Sequence, residues 1–132
     1  MAFVWTKDLE TGHSQIDNEH KQLVEAADRL VTACSQGKGR QEIGSAVEFL
    51  SNYTKTHFAH EEELQVKYKY PEYQVHKTWH QGFIKEIESV AAKLKAEGAN
   101  VALVAEVNTK VGQLITHIKT FDLKLAQYIQ KQ

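Results

Sequence analysis

Apolar residues recur at alternating intervals of three and four along most of this chain, a period typical of helices that bury one face. The period covers four segments, at about residues 18–36, 40–68, 71–97 and 101–129. Their lengths and the lack of a convincing strand pattern predict an all-α fold. Because the connections are short, successive helices run antiparallel, and the pattern predicts an up-down-up-down four-helix bundle.

Turn-forming residues lie between the four segments. Gly37-Lys38-Gly39 follows the first segment, Tyr70-Pro71 stops the second, and Gly98-Ala99-Asn100 breaks the pattern before the fourth. Glycine commonly ends a helix, whereas proline fits the first turn of one. We therefore expect the third helix to begin at residue 71.

Residues 1–16 show no clean period and are predicted to form an N-terminal arm. Phe3 and Trp5 are expected to anchor this arm to the bundle. Asp17 has the side chain of a good N-cap, so the first helix is predicted to start directly after it. Arm and bundle together form a single domain over residues 1–132.

Composition agrees with one ordinary domain. The chain has 132 residues, 42% hydrophobic and 25% charged, and 16 basic residues nearly balance 17 acidic ones. A formal net charge of −1 argues against nucleic acid or an anionic membrane as a partner, since both require clustered basic residues. We expect neither a transmembrane helix nor a signal peptide, and the single cysteine, Cys34, favours a cytoplasmic protein.

Seven histidines are many for this length, and several fall on the predicted buried faces. His57 and Glu61 lie four residues apart in the second segment, and His76 and His80 do so in the third. Side chains at i and i+4 lie one above the other on a helix, so each pair can reach one point in the core. One such pair alone is weak evidence, because this spacing also arises by chance on solvated helices.

The first and fourth segments add His20, His117 and Asp122 at buried positions. A single buried histidine is more often a satisfied core residue than a ligand. Seven imidazole and carboxylate groups on four buried faces are a different matter, because burying them without partners is costly. We therefore predict a metal site to which all four helices supply ligands.

His117 and Asp122 are five residues apart, which on an ideal helix separates them by roughly 140°. A π-helical turn would bring residues i and i+5 onto one face, and such turns occur at functional sites. We therefore predict a π turn between these two residues.

The number of ligands indicates which metal is bound. Structural zinc takes four ligands in a tetrahedron, so seven are too many. Two octahedral metal ions accommodate five imidazoles, two bridging carboxylates and one shared oxo or hydroxo oxygen, with one position left open. Imidazole and carboxylate ligands suit iron, so we expect two iron ions.

The order, identity and spacing of these residues resemble the hemerythrin family, and the length with a Trp5-bearing arm resembles its single-domain bacterial members. The resemblance covers the whole chain and implies one iron held by three histidines and another by two, with the open position on the second. The residues that carry it are His20, His57-Phe58-Ala59-His60-Glu61-Glu62, Tyr70-Pro71, His76, His80, His117-Ile118 and Asp122. It assigns His76, His80 and His117 to one iron, His20 and His57 to the other, and Glu61 and Asp122 to both.

The resemblance also implies a non-enzymatic function, reversible dioxygen binding for storage, transport or delivery, in a pocket that excludes water. Gln113 departs from the family, which commonly has tryptophan four residues before the last histidine. An amide there is expected to make the pocket wetter and to speed autoxidation. The matching pocket positions are Leu23, Phe58, Gln113, Leu114 and Ile118.

Two other functions remain open: oxygen or redox sensing through a separate partner, and reduction of peroxide or nitric oxide at the two irons. The chain shows no linker or second domain, which counts against a fused sensor, and no obvious acid–base residue in the pocket, which counts against an enzyme.

Several further residues are expected to have no part in the site. Surface positions are predicted for His13 and His60, and a solvated face for Glu62. Cys34 is expected in the apolar core, and Trp79 in ordinary aromatic packing.

Overall fold

The computed structural model describes residues 5–132, apart from the side chains of Cys34, Ser35 and Arg40. The expectations that Phe3 anchors the arm and that Cys34 lies in the core fall outside the described residues. Within 5–132 the chain is helical and has no strand, so the predicted all-α class is confirmed.

Four long helical segments make up the bundle. The fourth is continuous, but a π-helical turn interrupts its α-helix near the end and so divides it into three parts. In chain order the segments are α1 (Ser14–Ser35), α2 (Gly39–Lys67), α3 (Tyr73–Glu97) and the last, made of α4 (Val101–His117), a π turn (Ile118–Asp122) and α5 (Leu123–Gln130).

Each helix packs on its neighbour in the sequence, and α4 also contacts α1 and α2. The apolar core is one continuous cluster that includes Leu30, Ile43, Ile87 and Val107. Because the helices alternate in direction, the start of α1 and of α3 lies beside the end of α2 and of α4. The predicted polar residues belong to these four ends, so they share one half of the bundle.

Helix α1 begins at Ser14, four residues earlier than predicted, and a short 3₁₀ turn (Lys7–Leu9) precedes it. The N-cap prediction for Asp17 is wrong. Its carboxylate instead accepts hydrogen bonds from the backbone N–H and hydroxyl of Thr11, at 2.8 and 2.7 Å, and so ties the arm to the helix. The earlier start follows from Ile16, which is completely buried and extends the apolar stripe by one turn.

The connection between α2 and α3 is built by the backbone of residues 65–70. Lys69 adopts a left-handed conformation, with φ 54°, and the N–H of Tyr70 donates to the carbonyl of Gln65 at 2.9 Å. This pattern is a Schellman motif, which closes a helix end without proline. Helix α3 consequently starts at Tyr73, two residues after the expected position at Pro71.

Truncation of Ile87 tests the core. Ile87 is 1% exposed in the apolar cluster, so we expect Ile87→Ala to lower the free energy of unfolding of the metal-free protein by about 2–5 kcal/mol. Val101→Ala, at a site 73% exposed, should change it by less than about 0.5 kcal/mol. Chemical denaturation followed by circular dichroism measures both, and equal effects would contradict this description of the core.

Candidate metal centre

The structure brings all seven predicted ligand side chains together in the bundle interior. Each is at most 2% exposed. They form two groups that share Glu61 and Asp122, and the potential ligand atoms within each group lie within 4.8 Å of one another. The first group adds His76, His80 and His117, and the second adds His20 and His57.

Helical spacing places most of these side chains, as expected. On α2, Nε2 of His57 lies 3.2 Å from Oε2 of Glu61, one turn further along the helix. On α3, the rings of His76 and His80 have centroids 4.5 Å apart. In both cases residues i and i+4 project from the same helix face.

The fourth helical segment uses different geometry. Residues Ile118–Asp122 form a π turn, which confirms the prediction made from the five-residue spacing. Nε2 of His117 and Oδ1 of Asp122 consequently lie only 3.0 Å apart. The wider turn therefore brings both side chains to the same point, which an ideal α-helix would prevent.

The arrangement of ligand atoms fits metal ions. Nε2 of His76 lies 3.0 Å from Nε2 of His117, and Nε2 of His20 lies 2.9 Å from Oδ2 of Asp122. Among the described residues, both oxygens of Glu61 and of Asp122 are buried without a hydrogen-bond partner, as is Nε2 of His20. Buried nitrogen and oxygen atoms that converge and largely lack hydrogen-bond partners are what a metal ion would satisfy, and this donor set suits iron.

Electrostatic coupling within the cluster is strong. Burial and the charge of Asp122 raise the pKa of Glu61, but the nearby imidazoles of His57 and His20 outweigh them and hold it well below its usual range. Burial lowers the pKa of His57, yet Glu61 and a hydrogen bond to Glu19 raise it to about 10. In the metal-free protein, an imidazolium at His57 therefore offsets part of the buried carboxylate charge.

Glu19 lies outside the cluster and contacts two histidines of α2. One carboxylate oxygen accepts a hydrogen bond from Nδ1 of His57 at 2.8 Å, and the other lies 2.6 Å from Nδ1 of His60. This contact fixes the proton of His57 on Nδ1 and leaves Nε2 for a metal. His60 lies at the edge of the bundle with 35% of its side chain exposed, near the predicted surface position, but its ring also bonds to Glu19.

Two residues of α2 contact the outer ring nitrogens of histidines on α3, but only Glu62 acts as Glu19 does, because an amide nitrogen donates a hydrogen bond and a carboxylate accepts one. Glu62 accepts a hydrogen bond from Nδ1 of His80 at 3.0 Å, and the amide nitrogen of Gln65 lies 3.2 Å from Nδ1 of His76. Glu62 is 24% exposed, so the expectation of a solvated face is corrected. Glu19, Glu62 and Gln65 were not predicted from the sequence as contacts of the ligand histidines. The signal that could have found them is their position on α1 and α2 beside the predicted ligands.

Four of the five expected pocket positions are buried near the cluster. The rings of Phe58 and His80 stack with centroids 3.8 Å apart. The buried four are Leu23, Phe58, Leu114 and Ile118.

The expectation that Gln113 lines the pocket is wrong, because Gln113 is exposed and lies in an outer groove. His117 lies at one edge of the buried face that Val111, Leu114 and Ile118 define, and position i−4 is rotated about 40° further from the centre of that face.

Comparison with known proteins agrees with this geometry. Residues 11–129 match the family described as hemerythrin HHE cation binding domain. The chain is similar to a bacteriohemerythrin of Pseudomonas aeruginosa, with 39% identity over 93 residues, or 70% of this chain and 60% of that protein. A bacteriohemerythrin of Stenotrophomonas maltophilia is 30% identical over 96% of this chain and 81% of its own length.

A myohemerythrin of Sipunculus nudus is 25% identical over 92% of this chain and 89% of its own length. These matches show that the chain belongs to the hemerythrin family. The family implies a di-iron site and typically binds oxygen, mainly without enzymatic activity. No helix within the described residues is long and apolar enough to cross a membrane.

Replacing Glu19 tests its role in orienting His57. We expect Glu19→Gln to weaken binding of the less tightly held ferrous ion by about 10–100-fold, because the neutral amide no longer stabilises the Nδ1 proton. Anaerobic competition with a chelator measures this affinity. Glu25→Gln, at an exposed position of the same helix, is the matched control, and similar losses in both variants would refute the assignment.

Metal binding should displace a proton from His57. Its pKa of about 10 in the metal-free protein keeps Nε2 protonated at neutral pH, whereas an ordinary histidine, with a pKa of about 6.5, is then mostly neutral. We expect the apparent affinity for ferrous ion to fall as the pH is lowered from about 9 to 7, by about tenfold per pH unit for each proton displaced. Titrations across this range measure the slope, and a constant affinity would contradict the coupling.

Proposed function

We propose that this protein binds dioxygen reversibly at a pair of iron ions and so stores, carries or delivers oxygen, without acting as an enzyme. The proposed iron ligands are His20, His57, Glu61, His76, His80, His117 and Asp122, with the two carboxylates and a solvent-derived oxo or hydroxo oxygen shared between the ions. The lone cysteine supports a cytoplasmic location, because the fold has no disulfide framework.

The observation that carries this proposal is the unequal division of histidines between two groups that share two carboxylates. The group of His76, His80 and His117 offers one more side chain than the group of His20 and His57. With equal coordination numbers, the second ion lacks one protein ligand, and that position is available to a small exogenous molecule. Such an asymmetry supports ligand binding rather than a closed structural site.

Buried apolar side chains next to the cluster support a gas as this molecule. Leu23 lies one turn after His20 on α1 and is buried, as are Phe58 and Ile118. Apolar side chains admit a small neutral molecule while they exclude water and external protons. When bound, the iron pair would supply the two electrons that reversible dioxygen binding requires.

The outer hydrogen bonds support the same function. Glu19 and Glu62 hold the Nδ1 protons of His57 and His80, so neither imidazole needs to move when the charge of the centre changes. Fixed ligands lower the reorganisation that accompanies each cycle of binding and release.

An oxygen titration tests the proposal. We expect the anaerobic, iron-reconstituted protein to contain two irons per chain and to change its visible spectrum stoichiometrically with dioxygen, with recovery when the gas is removed. Replacement of a proposed ligand, His57→Gln, should abolish the reversible change, whereas His13→Gln in the arm should retain it.

Three outcomes would overturn the proposal. An absorption change that never reverses would exclude a carrier. Repeated consumption of dioxygen, peroxide or nitric oxide in the presence of a reductant would show an enzyme. A metal analysis that finds one zinc per chain would exclude a di-iron site.

A further inference from the structure

The N-terminal arm packs against the π turn, the stretch where the fourth helical segment leaves α-helical geometry. Leu9, in the 3₁₀ turn of the arm, is only 3% exposed and belongs to the same apolar cluster as Ile118, the first residue of the π turn. Beside this contact, Oδ2 of Asp8 lies 3.4 Å from Nζ of Lys119, the next residue of the π turn. This ion pair is exposed and contributes little, so the burial of Leu9 is the main interaction.

A second contact joins the arm to α5. The side-chain amide of Gln130 donates a hydrogen bond to the backbone carbonyl of Thr11 at 2.8 Å. Gly12 follows with φ 87°, a conformation that favours glycine, and a Cβ atom there would displace the amide of Gln130. The arm therefore approaches α5 so closely that this hydrogen bond requires a glycine at position 12.

The same part of the arm is also bonded to α1. The carboxylate of Asp17 accepts hydrogen bonds from the backbone N–H groups of Thr11 and Gly12, at 2.8 and 3.2 Å. Helix α1 carries His20, whose Nε2 lies 2.9 Å from Oδ2 of Asp122 at the end of the π turn. The arm thus joins, away from the proposed ligands, the same two helical segments that His20 and Asp122 join within the site.

The π turn needs contacts that favour it over the ordinary helix, because π-helical turns are rare. If residues 118–122 were wound as an ideal α-helix, His117 and Asp122 would lie roughly 140° apart, and both could not face the site. The imidazoles around Asp122 favour the wider turn, since they lie close to its carboxylate. The arm, which packs on the turn itself, favours it independently of those imidazoles.

We propose that residues 7–12 act as a clamp that holds the π turn against α1 and thereby positions Asp122 as the shared metal ligand. The inference rests on the ligand role proposed for Asp122. Leu9 and Gln130 are then positioning residues, because neither belongs to the ligand set. Since the clamp and the metal favour the same conformation of the π turn, each stabilises the other, and loosening the arm weakens metal binding.

Truncation of Leu9 tests the clamp, and Leu103 is the matched control. Both leucines are 3% exposed and belong to the same apolar cluster, but Leu103 lies in the first turn of α4, at the other end of the segment from the π turn. Leu9→Ala and Leu103→Ala each leave a cavity, so both should lower the unfolding temperature of the metal-free protein. Only Leu9→Ala should weaken the binding of ferrous ion, by about tenfold or more, as measured by anaerobic competition with a chelator.

Rescue by a side chain of similar volume separates positioning from a general loss of stability. Leu9→Met refills the same space, and we expect it to bind ferrous ion within about twofold of the protein without substitutions. Equal weakening in Leu9→Ala and Leu103→Ala would show that affinity follows stability alone and would overturn the inference. Unchanged affinity in Leu9→Ala would overturn it as well.

Hydrogen exchange in the metal-free protein reports on the π turn directly. We expect Leu9→Ala to speed exchange of the amides of residues 118–123 by about tenfold or more relative to those of residues 105–112, because local opening becomes easier. Leu103→Ala should not change this ratio. The same ratio in both variants would contradict the clamp.

Gln130→Ala provides a test that leaves the core intact, so it applies even if Leu9→Ala does not fold. Loss of its hydrogen bond to the arm should weaken ferrous binding by about twofold or more. Gln127→Ala, at an exposed position of the same helix, should leave the affinity unchanged. Equal affinities in these two variants would overturn the inference.

These measurements do not use dioxygen, so they separate the clamp from the oxygen-binding proposal. Reversible oxygenation together with unchanged ferrous affinity in Leu9→Ala and Gln130→Ala would overturn the clamp and leave the proposed function intact. Binding of two ferrous ions that depends on the arm, without reversible oxygenation, would support the clamp and contradict the proposed function.

Discussion

Two carboxylates with no exposed surface, Glu61 and Asp122, impose the main constraint on this bundle. An ionised carboxylate in a protein interior needs opposite charge and hydrogen-bond donors nearby. Here imidazolium groups supply this charge without metal, and cations would supply it with metal. Each of the four helices must therefore present a histidine or carboxylate at one level of the core, which explains why polar residues occupy apolar stripe positions there.

Features that depend on spacing along one helix could be predicted from the sequence. The His57/Glu61 and His76/His80 pairs required only the i, i+4 rule, and the π turn required only that the fifth residue share a face with the first. The start of α1 was accessible by the same rule, because Ile16 lies four residues before His20. The prediction of Asp17 as the N-cap failed because a side chain that suits a helix cap can also bond to residues of the preceding arm.

Features that depend on contacts between helices could not be predicted in this way. Periodicity shows that Glu19 and His60 lie beside the stripes, but it does not show that the two meet across α1 and α2. Gln113 illustrates a related limit. Its position four residues before His117 indicates a shared face. Because His117 lies at the edge of the buried face, a further rotation of about 40° places Gln113 in the outer groove, and the width of the buried face depends on how closely the helices pack.

The two sides of the centre differ in how far they are open to solvent. Beside His20 and His57, buried apolar side chains keep water away, which protects a bound gas from external protons. Beside His117, partly exposed aromatic rings border an open groove. A gas bound on that side would lie close to water, so the open position proposed for the two-histidine group lies where reversible binding is better protected.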